Sequence, residues 1–303
     1  MTHGEIPSLD VVATAGFADY ALLDSGAGRK LERFGRFVVD RPEPQAMWSQ
    51  ASEPGVWLRS NAQFKANKSE EDDDGGRWRF DKPLPETWPL EVMGTTVLCR
   101  LTSFRHLGIF PEQLPHWQWM VERVGEVRGE TPRVLNLFAY TGAASLIAAR
   151  AGAEVTHLDA SRKAIGWAKQ NQAASKMGEA PIRWILDDAR KFVAREVRRG
   201  RTYHVILVDP PKFGRGPDNE VWDVFRDLAP LLTECGKLLA PGRAALVLTT
   251  YAIRASALAT HALVADCLRR PARIESGELA VVEQSAGRLL PTSMFTRWQA
   301  SDG

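Results

Sequence analysis

A chain of 303 residues with 44% hydrophobic side chains can bury a large core, which excludes global disorder and leaves room for two domains. Its formal net charge of +2 creates no global field that would demand a polyanionic partner, although local basic patches can still bind one. The three cysteines, Cys99, Cys235 and Cys267, form no CxxC pair, which argues against a disulfide framework or a zinc site and for a reducing compartment.

The opening MTHGEIPSLD has no basic stretch leading into an apolar run, so no secretory leader is expected. No apolar run approaches the length of a membrane span. The expectation is a soluble cytoplasmic protein with no metal site.

Residues 1–103 read as a β-rich unit. ALLDSGAGRKLERFGRFVVDRP sets Asp24, Gly26, Gly28 and Gly35 between short apolar pieces, which is hairpin punctuation. VWLRSNAQFKANK (Val56 to Lys68) and RWRFDK mix basic and aromatic residues. That composition suits phosphate attraction with base stacking, and equally a strand with rings inside and arginines outside. EEDDDGG (Glu70 to Gly76) reads as a solvated hairpin tip.

Residues 104–303 change pattern. RVLNLFAY is an apolar strand, AASLIAARAG a helix stopped by Gly152, EVTHLDA a strand and RKAIGWAKQNQAAS a helix. IRWILDDA is a strand and RKFVAREVRRG a basic helix, whose arginines suit either a solvated face or RNA. HVILVDPP is a strand, and VWDVFRDLAPLLTECGKLLAPG has helical spacing in which Pro230 should begin or kink a segment. AALVLTTYA is a strand, ASALATHALVADCLRR a helix, and the tail two strands around a turn. Strands alternating with helices predict an α/β fold with a parallel sheet covered on both faces.

Ligands of such sheets sit beyond the carboxyl ends of the strands. There the chain places Tyr140, Thr141 and Gly142 at a turn into a helix, Asp159, the pair Asp187 and Asp188, and Asp209-Pro210-Pro211. Asp159 and Asp188 have an alternative reading as helix caps. The turn at Gly142 lacks the G-x-G-x-x-G pattern that cradles a pyrophosphate, so an acid after the second strand points to a nucleoside without phosphates, such as S-adenosylmethionine.

Together VLNLFAYTGAASL, HLDASRKAIGWAKQN, LDDARKFV and VILVDPPKF resemble successive motifs of class I S-adenosylmethionine-dependent methyltransferases, with their Rossmann-like sheet. The resemblance is to the large-subunit ribosomal RNA cytosine-5 methyltransferase group and covers roughly residues 104 to 255, including LGIFPEQ. It implies that Phe138, Tyr140, Thr141 and Gly142 border the methionine end of the cofactor and Asp159 its ribose. It implies that Asp188, with Asp187 beside it, faces the adenine amine, and that Phe110 and Gln113 close the pocket. Asp209 is then at the methyl-transfer site. The Asp209 carboxylate and the Pro210 carbonyl would accept an amine, and Phe213 would stack on a flipped base or pack in the core.

Two departures from the group matter. Its catalytic cysteine is missing: VLTTYAIRAS carries Thr250, Tyr251 and Ala252 in its place, and Cys235 and Cys267 fall in predicted helices. Cytosine C5 needs a thiolate at C6, so a nitrogen target fits better. The group's PUA-type RNA-binding module is also not expected. The sequence therefore predicts a methyltransferase for a base in ribosomal or other structured RNA, the alternative being one for a small molecule or protein side chain.

Overall fold

The computed structural model describes residues 7–67, 75–251 and 253–300. Strand β1 (Leu9–Thr14) is followed by β2 (Tyr20–Gly26), β3 (Arg29–Phe34) and β4 (Phe37–Pro42). Ala27 (φ 52°) and Gly28 (φ 72°) join β2 to β3, the pair of left-handed residues that a two-residue type I′ hairpin requires. A short helix α1 (Pro54–Leu58) leads to β5 (Ala62–Ala66) and β6 (Gly76–Arg79), and these five strands form one sheet in the order β2-β3-β4-β5-β6. Among its described residues Val56 to Lys68 is therefore not one strand: Pro54 at the helix start closes a turn first, and of residues 56–67 only Ala62–Ala66 extends. The β5–β6 pair is antiparallel, and the acidic segment between them, at 68–74, lies outside the described residues.

A hairpin of β7 (Trp88–Val92) and β8 (Thr95–Cys99) precedes a 3-10 turn, Pro111–Gln113, and helix α2 (Leu114–Glu126). The alternating part follows as β9 (Arg133–Leu137), α3 (Ala143–Arg150), β10 (Glu154–Asp159), α4 (Arg162–Ala174), β11 (Ile182–Leu186), α5 (Ala189–Arg198) and β12 (Val205–Val208). After β12 comes a small hairpin, β13 (Phe213–Arg215) and β14 (Val221–Asp223), then α6 (Val224–Leu238) and β15 (Ala245–Thr250). The helix α7 (Ala257–Cys267) and the antiparallel pair β16 (Ala272–Val282) and β17 (Leu289–Ala300) close the described chain. Helix α6 begins at Val224 and runs through Pro230, and Val221–Asp223, expected to be helical, is strand β14.

The main sheet has the order β1-β16-β17-β15-β12-β9-β10-β11. Strands β15, β12, β9, β10 and β11 are parallel, and β17 is antiparallel to β15. Chain order reverses between β9 and β12, which opens the crevice where ligands of this fold class bind. Both faces are buried, as the apolar strands predict. Val134, Leu207 and Val247 meet Met120 of α2 and Ile147 of α3 on one face. Their neighbours Leu135, Ile206 and Leu246 meet Phe192 of α5, Leu232 of α6 and Val264 of α7 on the other.

The N-terminal sheet is not independent of this layer. Tyr20, Phe34 and Trp88 belong to the same buried cluster as α2 and α3, and β1 adds to the edge of the main sheet. The seam is tight at Gly108, where φ is 107° and a Cβ would lie 2.3 Å from Cζ2 of Trp167 on α4. Gly108→Ala therefore meets both backbone strain and an aromatic ring that cannot retreat. We expect it to lower the unfolding free energy by about 2 kcal/mol or more, read as a fall in Tm. An unchanged Tm would show that the seam is loose.

Candidate active site

The end of β9 is conformationally unusual. Phe138 (φ 55°) and Tyr140 (φ 50°) are left-handed, a costly state for aromatic residues and one that marks ligand clamps. Gly142 (φ 85°) follows as N-cap of α3, and a Cβ on it would lie 3.1 Å from that of Ala168. The twisted backbone turns the Tyr140 amide toward Asp159, and it donates to Oδ2 at 2.8 Å. The Ser161 amide donates to Oδ1 at 2.7 Å, while the Ser161 hydroxyl caps α4 through Ala164. Asp159 is thus released from capping, and burial pushes its carboxyl above the usual carboxylate range.

Asp188 has the other fate. It caps α5 by accepting from the amides of Arg190 and Lys191, and its second oxygen takes the Arg190 guanidinium at 3.0 Å. Asp187 pairs with Arg195 at 2.7 Å and does not reach the cavity, whereas Asp188 remains in its wall.

These strand ends border one cavity of about 430 Å³ at the β9/β12 switch point, with Gly142 and Asp187 just behind rather than in its wall. Phe110, Gln113, Phe138, Tyr140, Thr141, Asp159, Asp188, Asp209 and Pro210 line it. Phe110 leans on Tyr140 with centroids 5.5 Å apart, and Tyr140 on Trp167 at 5.9 Å. The Thr141 hydroxyl donates to the Gly108 carbonyl, tying the LGIFPEQ segment to the turn. On the opposite side Gln113 Nε2 donates to Asp209 Oδ2 at 3.1 Å, and its Oε1 accepts from the Thr249 hydroxyl at 3.4 Å.

Burial, reinforced by the charge of Glu112, raises the Asp209 carboxyl from 3.8 to about 7. Trp222 of β14 donates to the Pro211 carbonyl, not to that of Pro210, at 2.7 Å. Trp222 also meets Phe138, with centroids 4.9 Å apart.

Phe213 does not join the cavity wall. In the β13–β14 hairpin Gly214 faces Trp222 and Phe213 faces Asp223. Side chains alternate across a strand, so turning Trp222 inward turns Phe213 outward, where it is 55% exposed. Among the wall residues that escaped the sequence reading are Trp222, Glu112, and Lys30 on β3, whose ammonium lies 3.2 Å from Glu43. Glu112 sits inside the quoted LGIFPEQ and Trp222 inside a misread helix, whereas Lys30 is brought in by long-range pairing and left no local signal. No cysteine lines the cavity, and Cys235 is fully buried in α6 with its thiol pushed up by desolvation.

A family model described as S-adenosylmethionine-dependent methyltransferase matches residues 47–287. The chain belongs to that family. S-Adenosylmethionine is its cofactor, and the residues present fit it: an acid at the end of β10 held by two backbone amides and tied to no cation, a glycine turn into α3, and aromatic walls. A crystallised SAM-dependent methyltransferase from Agrobacterium tumefaciens is 47% identical, covers 98% of this chain and 96% of its own, and superposes with a TM-score of 0.91. A structure from Streptococcus mutans, 17% identical with a TM-score of 0.71 over 92% of this chain and 75% of its own, shares the fold.

Among curated proteins, the ribosomal RNA large subunit methyltransferase K/L of Pseudoalteromonas atlantica is 33% identical over 171 residues, 55% of this chain and 23% of that protein. That of Shewanella frigidimarina is 37% identical over 153 residues, 50% of this chain and 20% of that protein. The chain thus matches less than a quarter of the length of these relatives.

The raised acid makes a prediction about stability. Between pH 4 and about pH 7 folded Asp209 holds a proton that the unfolded chain has released, so stability falls as pH rises through that window and stays lowered above it. Asp209→Asn removes the buried charge. At pH 8 the ligand-free variant should be more stable than the parent, by as much as about 4 kcal/mol at 1.36 kcal/mol per pKa unit. At pH 4 the two should match, which thermal melts at both pH values will show.

Proposed function

We propose that this enzyme methylates an exocyclic nitrogen of a base in RNA, ribosomal RNA foremost. The observation that carries the reading is a largely buried acid followed directly by the Pro210 carbonyl, at the switch point of a cavity without a thiol. The names of the curated relatives support RNA as the acceptor.

The cofactor, when bound, supplies an electrophilic methyl group on a sulfonium. The turn at Phe138, Tyr140, Thr141 and Gly142 holds its methionine end near the start of α3. Asp159 keeps lone pairs for the ribose hydroxyls. Asp188 borders the adenine, with Asp187 fixing it through the Asp188 amide at 2.8 Å. Phe110 closes over Tyr140, and Gln113 orients Asp209.

An exocyclic amine is a poor nucleophile because its lone pair is conjugated with the ring. Asp209 and the Pro210 carbonyl would accept its two N–H groups and turn the lone pair toward the cofactor side of the cavity, where the bound cofactor would supply the methyl group. The methylated amine then sheds a proton. Asp209, with a pKa of about 7, is basic enough to receive it and is ionised enough at neutral pH to begin as the acceptor.

Methyl transfer from labelled cofactor to RNA of cells lacking the gene, followed by nucleoside analysis, tests the proposal. An N-methylated base is expected; 5-methylcytosine, or label only in protein or small molecules, would overturn it. Asp209→Asn should lower kcat about 100-fold or more with cofactor affinity nearly intact. Asp159→Ala should instead weaken cofactor binding about tenfold or more, measured by calorimetry.

A further inference from the structure

Helix α4 starts directly beyond the cavity, since Ala160 and the N-cap Ser161 are both in the cavity wall. Its inner face is packed through Trp167 and Asn171. Its outer face carries Arg162, Gly166, Lys169 and Ala173 at spacings of four, three and four, which puts them in one stripe. Lys163 stands beside that stripe and Lys176 just past the helix end, and all six residues are exposed. Between Ala160 and Ala180 the sequence holds four cations and one acid, Glu179. None of the four cations forms an ion pair or a side-chain hydrogen bond with a described residue.

The other basic helix is different. On α5, Arg190 faces Asp188 and Asp227, Lys191 faces Glu220, Arg195 faces Asp187 and Arg199 faces Glu196, so most of its charge is cancelled within the molecule. On α4 the placement is also locally unfavourable. Arg162 and Lys163 are the first two residues after the cap, at the positive end of the helix dipole, where acids would be the stabilising choice. Arg100, just after β8, adds to this positive potential. Its guanidinium lies 4.2 Å from the centroid of the Trp167 ring, it donates to Gln170 of α4, and it meets no carboxylate among the described residues. Its buried Nε has no acceptor there either.

We infer that the outer face of α4 is a docking track for the sugar-phosphate backbone of the RNA whose base enters the cavity. The inference rests on the reading of RNA as acceptor. Clustered cations without acids hold counter-charges that a polyanion displaces. Arg162 and Lys169 are two turns apart, about 10 Å along the axis, so a single phosphate or carboxylate meets only one of them, whereas an extended backbone meets both. Gly166 stands between them, and a Cβ there would meet nothing within 4 Å, so a strand can lie close to the helix. Because the track begins at Ser161, a strand on it leads to the cavity. The tasks are then divided: the cavity reads the base, and α4 holds the backbone without reading sequence.

The test is binding of a fluorescent mixed-sequence single-stranded RNA of about 12 nucleotides to the full chain at several salt concentrations. Arg162→Gln/Lys163→Gln/Lys169→Gln removes three charges and keeps helix propensity. It should lower affinity and reduce the slope of log affinity against log salt by about two, with cofactor affinity unchanged and Tm unchanged or raised. Arg198→Gln/Arg199→Gln/Arg201→Gln removes the same charge at the far end of α5 and should keep the parental slope. A parental slope in the α4 variant, or an equal loss in the α5 variant, overturns the track while the RNA reading stands. If the parent binds no RNA, the RNA reading falls first and the track with it. If the α4 variant keeps parental RNA binding but loses affinity for polyglutamate, the face serves an acidic polypeptide and the inference is overturned as well.

Discussion

The arrangement depends on keeping one carboxyl group, that of Asp209, out of water at the point where the strand order reverses. Burial raises its pKa to about 7, and the nearby Glu112 adds to that shift. The fold tolerates this because the site needs an acceptor that is dry enough to be strong and basic enough to take a proton. Around it, Gln113 fixes one oxygen, Thr249 fixes Gln113, and the Trp222–Pro211 bond fixes the loop. Each of these comes from a different element, so the site exists only when the 3-10 turn before α2, β12, β14 and β15 are all in place.

A second expense lies on the other side of the switch point. Two aromatic residues are held left-handed at the end of β9, and the compensation is visible: the Tyr140 amide gains Asp159, and its ring gains Phe110 and Trp167. Strain of this kind persists only when surrounding contacts over-determine it. The N-terminal half contributes to that over-determination. Its core is continuous with the α2 and α3 layer, and through Lys30 it supplies part of the cavity wall. The basic-aromatic residues 56–67 and 77–82 of this half are not in the wall.

The parallel sheet was legible because buried strands read as uninterrupted apolar runs, and their carboxyl ends could be located to the residue. The difference between Asp159 and Asp188 was less evident, since both end a strand before a helix. In principle it was readable: Ser161 stands two residues after Asp159 as a better-placed cap, whereas Ala189 and Arg190 offer Asp188 no substitute. The outward turn of Phe213 could not be read because a three-residue strand is too short for periodicity to show, although the GPDN turn after it hinted at a hairpin. Lys30 could not have been found, as tertiary packing alone brings β3 to the cavity. No helix among the described residues is long and apolar enough to cross a membrane.

The central claim is that Asp209 is a buried acid titrating near neutrality, and carbon-13 NMR of carboxyl-labelled, ligand-free protein tests it directly. The signal lost in Asp209→Asn should titrate with a midpoint near pH 7. A midpoint near the ordinary aspartate value of 3.8 would contradict the account, because an acid already solvated could neither accept the amine strongly nor take its proton.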